Sequence, residues 1–379
     1  MSEPTKKAAD VSRSAFDPST ERLALMLGGG GARGAYQAGV LRGLASLFPE
    51  LRFPIMTGIS AGAVNTIHLA SHEGTLGEAA TDLARLWMKL SPERVYDVRS
   101  VSLARNVLRW GGRLLSGGIA PGTEPMRGMV DTDPLRQFLR ENVVQSADGS
   151  IPGIARNIAR GSLHAVALSA TSYTTAKSTT WVEGRDVQLW HRPQRRSESA
   201  RLTVEHVMAS SALPLLFPAV RVGDEWYGDG GIRLTAPLSP ALHLGATRIL
   251  TISTRPRSAE PPDPQPHPAR YPAPAQVLGV LYNSIFLDLI DEDILRLGKV
   301  NRLLEGVAED KRDGMRIVDI LVIRPSQDLR GVMREVEPRL PTALRHLTRG
   351  LGTRQAANPD FLSLILFQSD YIERLLKDF

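Results

Sequence analysis

The pentapeptide Gly58-Ile59-Ser60-Ala61-Gly62 sets a serine two residues from a glycine on either side. A nucleophile elbow needs that spacing: the serine sits on a sharp strand-to-helix turn with its hydroxyl above the sheet, and the glycines let neighbouring elements come close. A helix beginning just behind the serine also favours negative charge developing there. The same five residues could be a plain serine N-cap, so the flanks decide. Phe53 to Thr57 is short and apolar, and Ala63 to Ala70 has helical spacing, which supplies the strand before and the helix after.

A second glycine-rich stretch, Gly28 to Gly34, contains G-x-G-x-x-G as Gly29, Gly31 and Gly34. A dinucleotide-binding turn with this pattern needs an acidic residue about 20 positions on, at the end of the next strand. Glu50 lies near that spacing but precedes the Phe53 to Thr57 strand, so the nucleotide reading fails. Consecutive glycines suit another task. With no side chains in the way, their N–H groups can converge on one oxygen, and each such donor to an acyl-transfer oxyanion is worth ~3 kcal/mol of barrier.

A nucleophilic serine needs a base. The chain has eight histidines, and none lies in a motif that announces a triad. His68 and His72 share a helix face at a spacing of four, but no carboxylate motif accompanies them, so they read as a surface or packed pair. Trp226-Tyr227-Gly228-Asp229-Gly230-Gly231 instead puts a carboxylate between glycines directly after a short expected strand. Asp-Gly turns are common, so this piece gains weight only beside the other two. Partial desolvation would raise the Asp229 pKa and make it a better base.

The elements that must hold these residues follow from the flanks. Leu23 to Leu27 (LALML) reads as a buried strand, Gly28 to Gly31 as a turn and Ala35 to Leu47 as a helix, and the Ser60 region repeats the arrangement. Two strand-turn-helix units in succession predict a parallel sheet with helices on its faces. Further strands are expected at His164 to Ser169, Arg248 to Ser253 and Ile317 to Ile323, and a helix at Thr203 to Ser211. Pro256 to Pro274 holds eight prolines and reads as an exposed linker. Gln276 to Leu304 and Phe361 to Phe379 have helical periodicity, which makes the C-terminal part mostly helical; the last segment is apolar enough to dock on the core or to form a homodimer. The expected division is a polar tail over 1–20, a catalytic domain over 21–255, a Pro-rich linker over 256–275 and a mostly helical region over 276–379 packed on that domain.

Composition narrows the class. The 379 residues are 42% hydrophobic and 23% charged, values of a globular protein, and include no cysteine, which removes disulfides, thiolate metal sites and a cysteine nucleophile together. The net charge of +6 suits an anionic surface but is equally a solubility charge. Met1 to Thr20 lacks the apolar stretch of a secretory signal, and no window approaches the ~18 apolar residues of a spanning helix. A cytoplasmic protein is expected, with contact at the inner face of the membrane left open. Arg99 to Leu115, which mixes four arginines with Leu108 and Trp110, could lie in a headgroup region or simply pack on the domain.

Taken in order, GGGGARG, GISAG, ASSALPLLFPAV and DGG resemble the patatin-like phospholipase family, over roughly Leu23 to Ser253. The resemblance implies an α/β fold of three α/β/α layers around a mostly parallel sheet, with a helical C-terminal addition. It implies a Ser-Asp dyad of Ser60 and Asp229, and an oxyanion hole of Gly29, Gly30 and Gly31. Arg33 stands at the family's basic position, Gly34, Gly58, Gly62, Gly230 and Gly231 support the motifs, and Ala209 to Val220 would pack beneath the site. The expected activity is hydrolysis of lipid acyl esters, of phospholipase A or lysophospholipase type, through an acyl-enzyme. No cofactor, metal or nucleic acid is expected to take part. Two other readings stay open: an acyltransferase using the same serine, with His164 as the candidate base, and a catalytically silent lipid-binding protein.

Overall fold

The computed structural model describes residues 22–97, 128–255, 273–286, 288–326, 345 and 365–377. Its strands are β1 (Leu23–Leu27), β2 (Ile55–Gly58), β3 (Ala165–Ser172), β4 (Ser178–Gly184), β5 (His191–Arg192), β6 (Arg195–Ser199), β7 (Val220–Val222), β8 (Glu225–Asp229), β9 (Arg248–Ile252) and β10 (Asp319–Ile323). They form one sheet in the order β10-β9-β1-β2-β3-β4-β6-β5, with β8 paired to β3 and β7 to β8. From β10 through β3 every neighbour is parallel. The apolar runs of β1, β2 and β9 are what strands covered on both faces require.

Eleven α-helices are described: α1 (Gly34–Leu47), α2 (Ala61–Ser71), α3 (Leu76–Met88), α4 (Pro92–Val95), α5 (Asp133–Asn142), α6 (Pro152–Arg160), α7 (Val204–Ser210), α8 (Ser239–His243), α9 (Pro274–Phe286), α10 (Asp288–Glu305) and α11 (Ser369–Lys377). The period-two alternation of β1 divides the core. Leu25 and Leu27 point into a cluster with residues of α1, α2, α3, α7 and α11, and Ala24 and Met26 into one with residues of α8 and α10. This is a three-layer α/β/α fold with a mostly parallel central sheet.

The expected elements are found with shifted ends. β2 starts at Ile55 and runs to Gly58, and α2 starts at Ala61, so the turn around Ser60 is tighter than the glycine spacing alone suggests. The single helical pattern of Gln276 to Leu304 is two helices, α9 and α10, and β10 adds a strand parallel to β9 between α10 and α11. Within Phe361 to Phe379, Ser369 to Lys377 is a helix, and its Tyr371, Ile372, Leu375 and Leu376 are buried in the same cluster as α1. Burial of side chains of this size contributes about 1.5–3 kcal/mol each. Arg99 to Leu115 and all but the end of the Pro-rich stretch lie outside the described residues. Among the described residues no helix is long and apolar enough to cross a membrane.

Candidate active site

The register of the sheet explains how Ser60 and Asp229 meet. β2 runs parallel to β3 and ends with Gly58 opposite Leu168. β8 runs antiparallel on the next stretch of β3, Ala170 to Ser172, and ends with Asp229 opposite Ala170. Two strands therefore approach one another head-on along β3, and their carboxyl ends converge within two rungs. Gly230 continues from β8 into this junction, where a Cβ would stand 2.1 Å from the Ser169 carbonyl oxygen, so the site is closed without a side chain there.

Ser60 leaves β2 with φ 56° and ψ −126°, a conformation that costs a non-glycine residue about 1–3 kcal/mol. The surroundings hold it there. The Ser60 N–H donates to Ser210 Oγ (3.0 Å), Ser210 Oγ donates to the Ser169 carbonyl (2.7 Å), and Ser211 Oγ donates to the Ser60 carbonyl (2.9 Å). The end of α7 thus clamps the elbow on both sides of Ser60. Behind it, α2 starts close against β1: a Cβ on Gly62 would lie 2.1 Å from the Leu27 carbonyl oxygen.

Asp229 is completely buried. Its Oδ1 accepts the Gly231 N–H at 2.9 Å, its N–H donates to the Ala212 carbonyl (2.8 Å), and Thr171 Oγ1 donates to its carbonyl (2.9 Å). Burial raises its pKa from the ordinary 3.8 to about 7, against the lowering effect of the Ser60 hydroxyl and the Gly231 N–H. The Ser60 hydroxyl is close enough to act on this charge, yet Oδ2 completes no hydrogen bond of good geometry. Catalytic hydrogen bonds are often loose before substrate binds and tighten in the complex.

The glycine loop stands on the other flank of β1's end. Gly30 has φ 150° and Gly31 φ 54°. Among the described residues, none of the Gly29, Gly30 and Gly31 N–H groups donates to a turn or loop carbonyl. Arg33 is buried beneath the loop, its N–H bonded to the Gly30 carbonyl (3.1 Å), and Gly34 opens α1.

His164 does not join this group. It precedes β3 at the opposite end of the sheet, where its Nε2 lies 3.2 Å from Arg22 Nη1. The His68 and His72 rings lie 6.2 Å apart, and burial pushes His68 down to about 4. Two tyrosines near Ser60 and Asp229 carry no sequence signal. A Cβ on Gly228 would meet Tyr173 Oη at 2.1 Å, so that ring lies over β8 beside Asp229, and Tyr282 of α9 donates to the Pro214 carbonyl (2.7 Å). Burial first, and then the Asp229 charge, raises the pKa of both phenols. Ser210 and Ser211 lie within the quoted ASSALPLLFPAV stretch, but only the fold reveals that they clamp the elbow.

A mostly parallel sheet covered by helices on both faces, with Ser60, Asp229 and the glycine loop at the strands' carboxyl ends, defines a three-layer α/β/α protein with its candidate site at that edge. The sequence pattern of the Patatin-like phospholipase family matches residues 25–242, more than half of the chain, and the chain belongs to that family of lipid acyl hydrolases. Among solved structures, VipD from Legionella pneumophila is similar at 13% identity and a TM-score of 0.32, over 94% of this chain and 67% of that one. Human GIVD cytosolic phospholipase A2, solved with methyl gamma-linolenyl fluorophosphonate, is similar at 13% identity and a TM-score of 0.34, over 64% of this chain and 44% of that one. The chain thus spans less than half the length of the human enzyme. None of the curated protein sequences matches it.

Proposed function

We propose that the protein hydrolyses carboxylic esters of membrane lipids with Ser60 as nucleophile and Asp229 as general base. The observation that carries this reading is the meeting of a strained serine and a fully buried carboxylate of raised pKa where β2 and β8 converge along β3. A carboxylate held near neutrality is matched to taking a proton from an alcohol and returning it within one turnover.

Ser60 Oγ attacks the ester carbonyl while its proton passes to Asp229. The tetrahedral oxyanion accepts from the N–H groups of the Gly29 to Gly31 loop. The intermediate collapses, the C–O bond to the alcohol breaks, and Asp229 returns the proton to that alcohol, leaving the acyl group on Ser60. Water then attacks the acyl-enzyme, giving its proton to Asp229, and the second collapse returns it to Ser60 as the fatty acid departs. Only one base is required, because each half-reaction hands the proton back.

The test is fatty-acid release from phospholipid vesicles and hydrolysis of a short nitrophenyl ester by wild type, Ser60→Ala and Asp229→Asn, each checked for folding by circular dichroism. Both variants are expected to lose both activities, and wild type but not Ser60→Ala should react covalently with a fluorophosphonate. An Asp229→Asn protein of full activity would overturn the dyad. A wild type inert to esters and to the fluorophosphonate would leave a lipid-binding protein.

A further inference from the structure

The glycine loop is held from behind by a chain of buried polar side chains reaching from α3 to β1. Trp87 of α3 donates its indole N–H to Asn65 Oδ1 (2.7 Å). Asn65 Nδ2 donates to Gln37 Oε1 (2.8 Å) and to the Gly34 carbonyl (3.0 Å). Gln37 Nε2 in turn donates to the Gly28 carbonyl (2.9 Å) and, more weakly, to that of Ile252 (3.3 Å). Gln37 and Asn65 are wholly buried, and all the hydrogen-bonding groups of both side chains are engaged.

The polarity of this chain is fixed at one end. An indole N–H is a donor only, so Asn65 must present its oxygen to Trp87 and its amide nitrogen to Gln37. Gln37 must then present its oxygen to Asn65, which leaves its NH2 for the Gly28 carbonyl. A tryptophan more than fifty residues along the chain thereby decides that Gly28 meets a donor. Thr254, just past β9, does the same for the next peptide: its Oγ1 donates to the Gly29 carbonyl (3.2 Å).

Peptide planarity converts these bonds into aim. In a trans peptide the C=O of one residue and the N–H of the next point in opposite directions. Anchoring the Gly28 and Gly29 carbonyls therefore orients the N–H groups of Gly29 and Gly30. The strand order β9-β1-β2 puts Thr254 and Ser60 on opposite flanks of β1. A Gly29 carbonyl drawn toward Thr254 turns the Gly30 N–H toward the Ser60 side. Gly30 itself has φ 150°, and a Cβ there would stand 2.7 Å from Thr254 Oγ1, so this contact is available to glycine.

We infer that Gln37, Asn65, Trp87 and Thr254 are positioning residues that aim the N–H groups of Gly29 and Gly30 at the oxyanion formed on Ser60. This inference rests on the proposed Ser60 chemistry. Trp87 also stacks on Phe367 of the C-terminal segment, with ring centroids 6.4 Å apart and an interplanar angle of 8°. The relay thus extends from that segment to the glycine loop.

The experiment measures kcat, KM and the pH profile for a short nitrophenyl ester with the full chain carrying Thr254→Val, Thr254→Ser, Gln37→Met or Trp87→Phe. Losing an oxyanion donor outright lowers kcat by about 10²–10³, and misaiming one that remains is expected to cost about tenfold or more. Thr254→Val, which keeps the shape and removes the hydroxyl, should show that fall in kcat with KM within about twofold, since the donors act on the transition state. Its acid limb should stay in place because Asp229 keeps its surroundings, and Thr254→Ser should recover most of the rate. Gln37→Met is expected to lose more than Trp87→Phe, because it removes the bond to the loop itself. Thr254→Val decides if Gln37→Met does not fold. A Thr254→Val enzyme with wild-type kcat, or a fall that Thr254→Ser does not repair, would overturn the inference while Ser60→Ala stays inactive; activity surviving Ser60→Ala would instead overturn the nucleophile.

Discussion

The two ends of the parallel sheet are built on opposite plans. At the carboxyl end a serine is held at positive φ, a carboxylate is sealed from water, and three consecutive glycines leave their N–H groups unused by loop carbonyls. At the amino end, beside the start of β2, a cleft of about 510 Å³ is bordered by Arg52, Phe53, His72, Glu73 and Arg160. Its Glu73 is already answered: it accepts from Arg156 (2.6 Å) and from Arg160, and these bonds hold its carboxyl below the usual carboxylate range. One acid is paired and stays ionised; the other is desolvated and titrates near neutrality. Room for a ligand and readiness for chemistry are separate properties, and here the second marks the site.

The comparison breaks most sharply on the proposed dyad. Ser60→Ala and Asp229→Asn should each lower kcat by about 10³-fold or more, on the scale of nucleophile and base deletions in serine hydrolases. Next in size is an effect on folding at the same end. Gly62→Ala sets a methyl group 2.1 Å from the Leu27 carbonyl oxygen. An overpacked site of this kind costs about 1–3 kcal/mol, and more where backbone must move. A lowered melting temperature with lost ester hydrolysis is expected, and a Gly62→Ala protein as stable as wild type would show that α2 can retreat from β1.

The raised pKa of Asp229 gives two measurements with opposite signs. A base works ionised, so kcat/KM should rise through about pH 7 and level off above it. Stability runs the other way. The folded state holds the Asp229 proton more tightly than the unfolded chain, so its contribution is full below pH 4 and is lost as pH rises through about 7. Between about pH 5 and pH 8 that loss is on the order of 3 kcal/mol. Thermal melts at the two pH values should show wild type losing stability and Asp229→Asn losing much less of it. Equal losses would mean that Asp229 is solvated and that its setting differs little from that of Glu73.

Much of the carboxyl end was legible because its demands are local. An elbow needs glycines at fixed offsets from a serine, and LALML followed by four glycines can hardly be anything but a buried strand and a tight turn. The parallel sheet with helices on its faces followed from two such units in a row, and the three-layer class from the family resemblance. What local pattern could not show was the meeting itself. That Asp229 arrives antiparallel, opposite Ala170, depends on β8 pairing with β3 across more than fifty residues. The clamp by Ser210 and Ser211 and the presence of Tyr282 near Asp229 depend on equally distant contacts. Strands such as β4 and β6, rich in Ser, Thr and Arg, carry little apolar alternation and gave no signal.

The smallest effect tests the other half of the contrast. Glu73→Gln removes a charge from the amino-end cleft while keeping the side chain's size, and leaves Arg156 and Arg160 reaching into water. Exposed pairs contribute little to stability because solvent screens them and ordering long side chains offsets the attraction. The variant should therefore melt close to wild type, keep its kcat/KM on vesicles within about twofold, and keep the acid limb near pH 7, since Glu73 lies at the far end of β2 from Asp229. A tenfold loss on vesicles with the nitrophenyl ester unaffected would assign the cleft a part in handling lipid, and the division between a reactive and an inert end of the sheet would have to be redrawn.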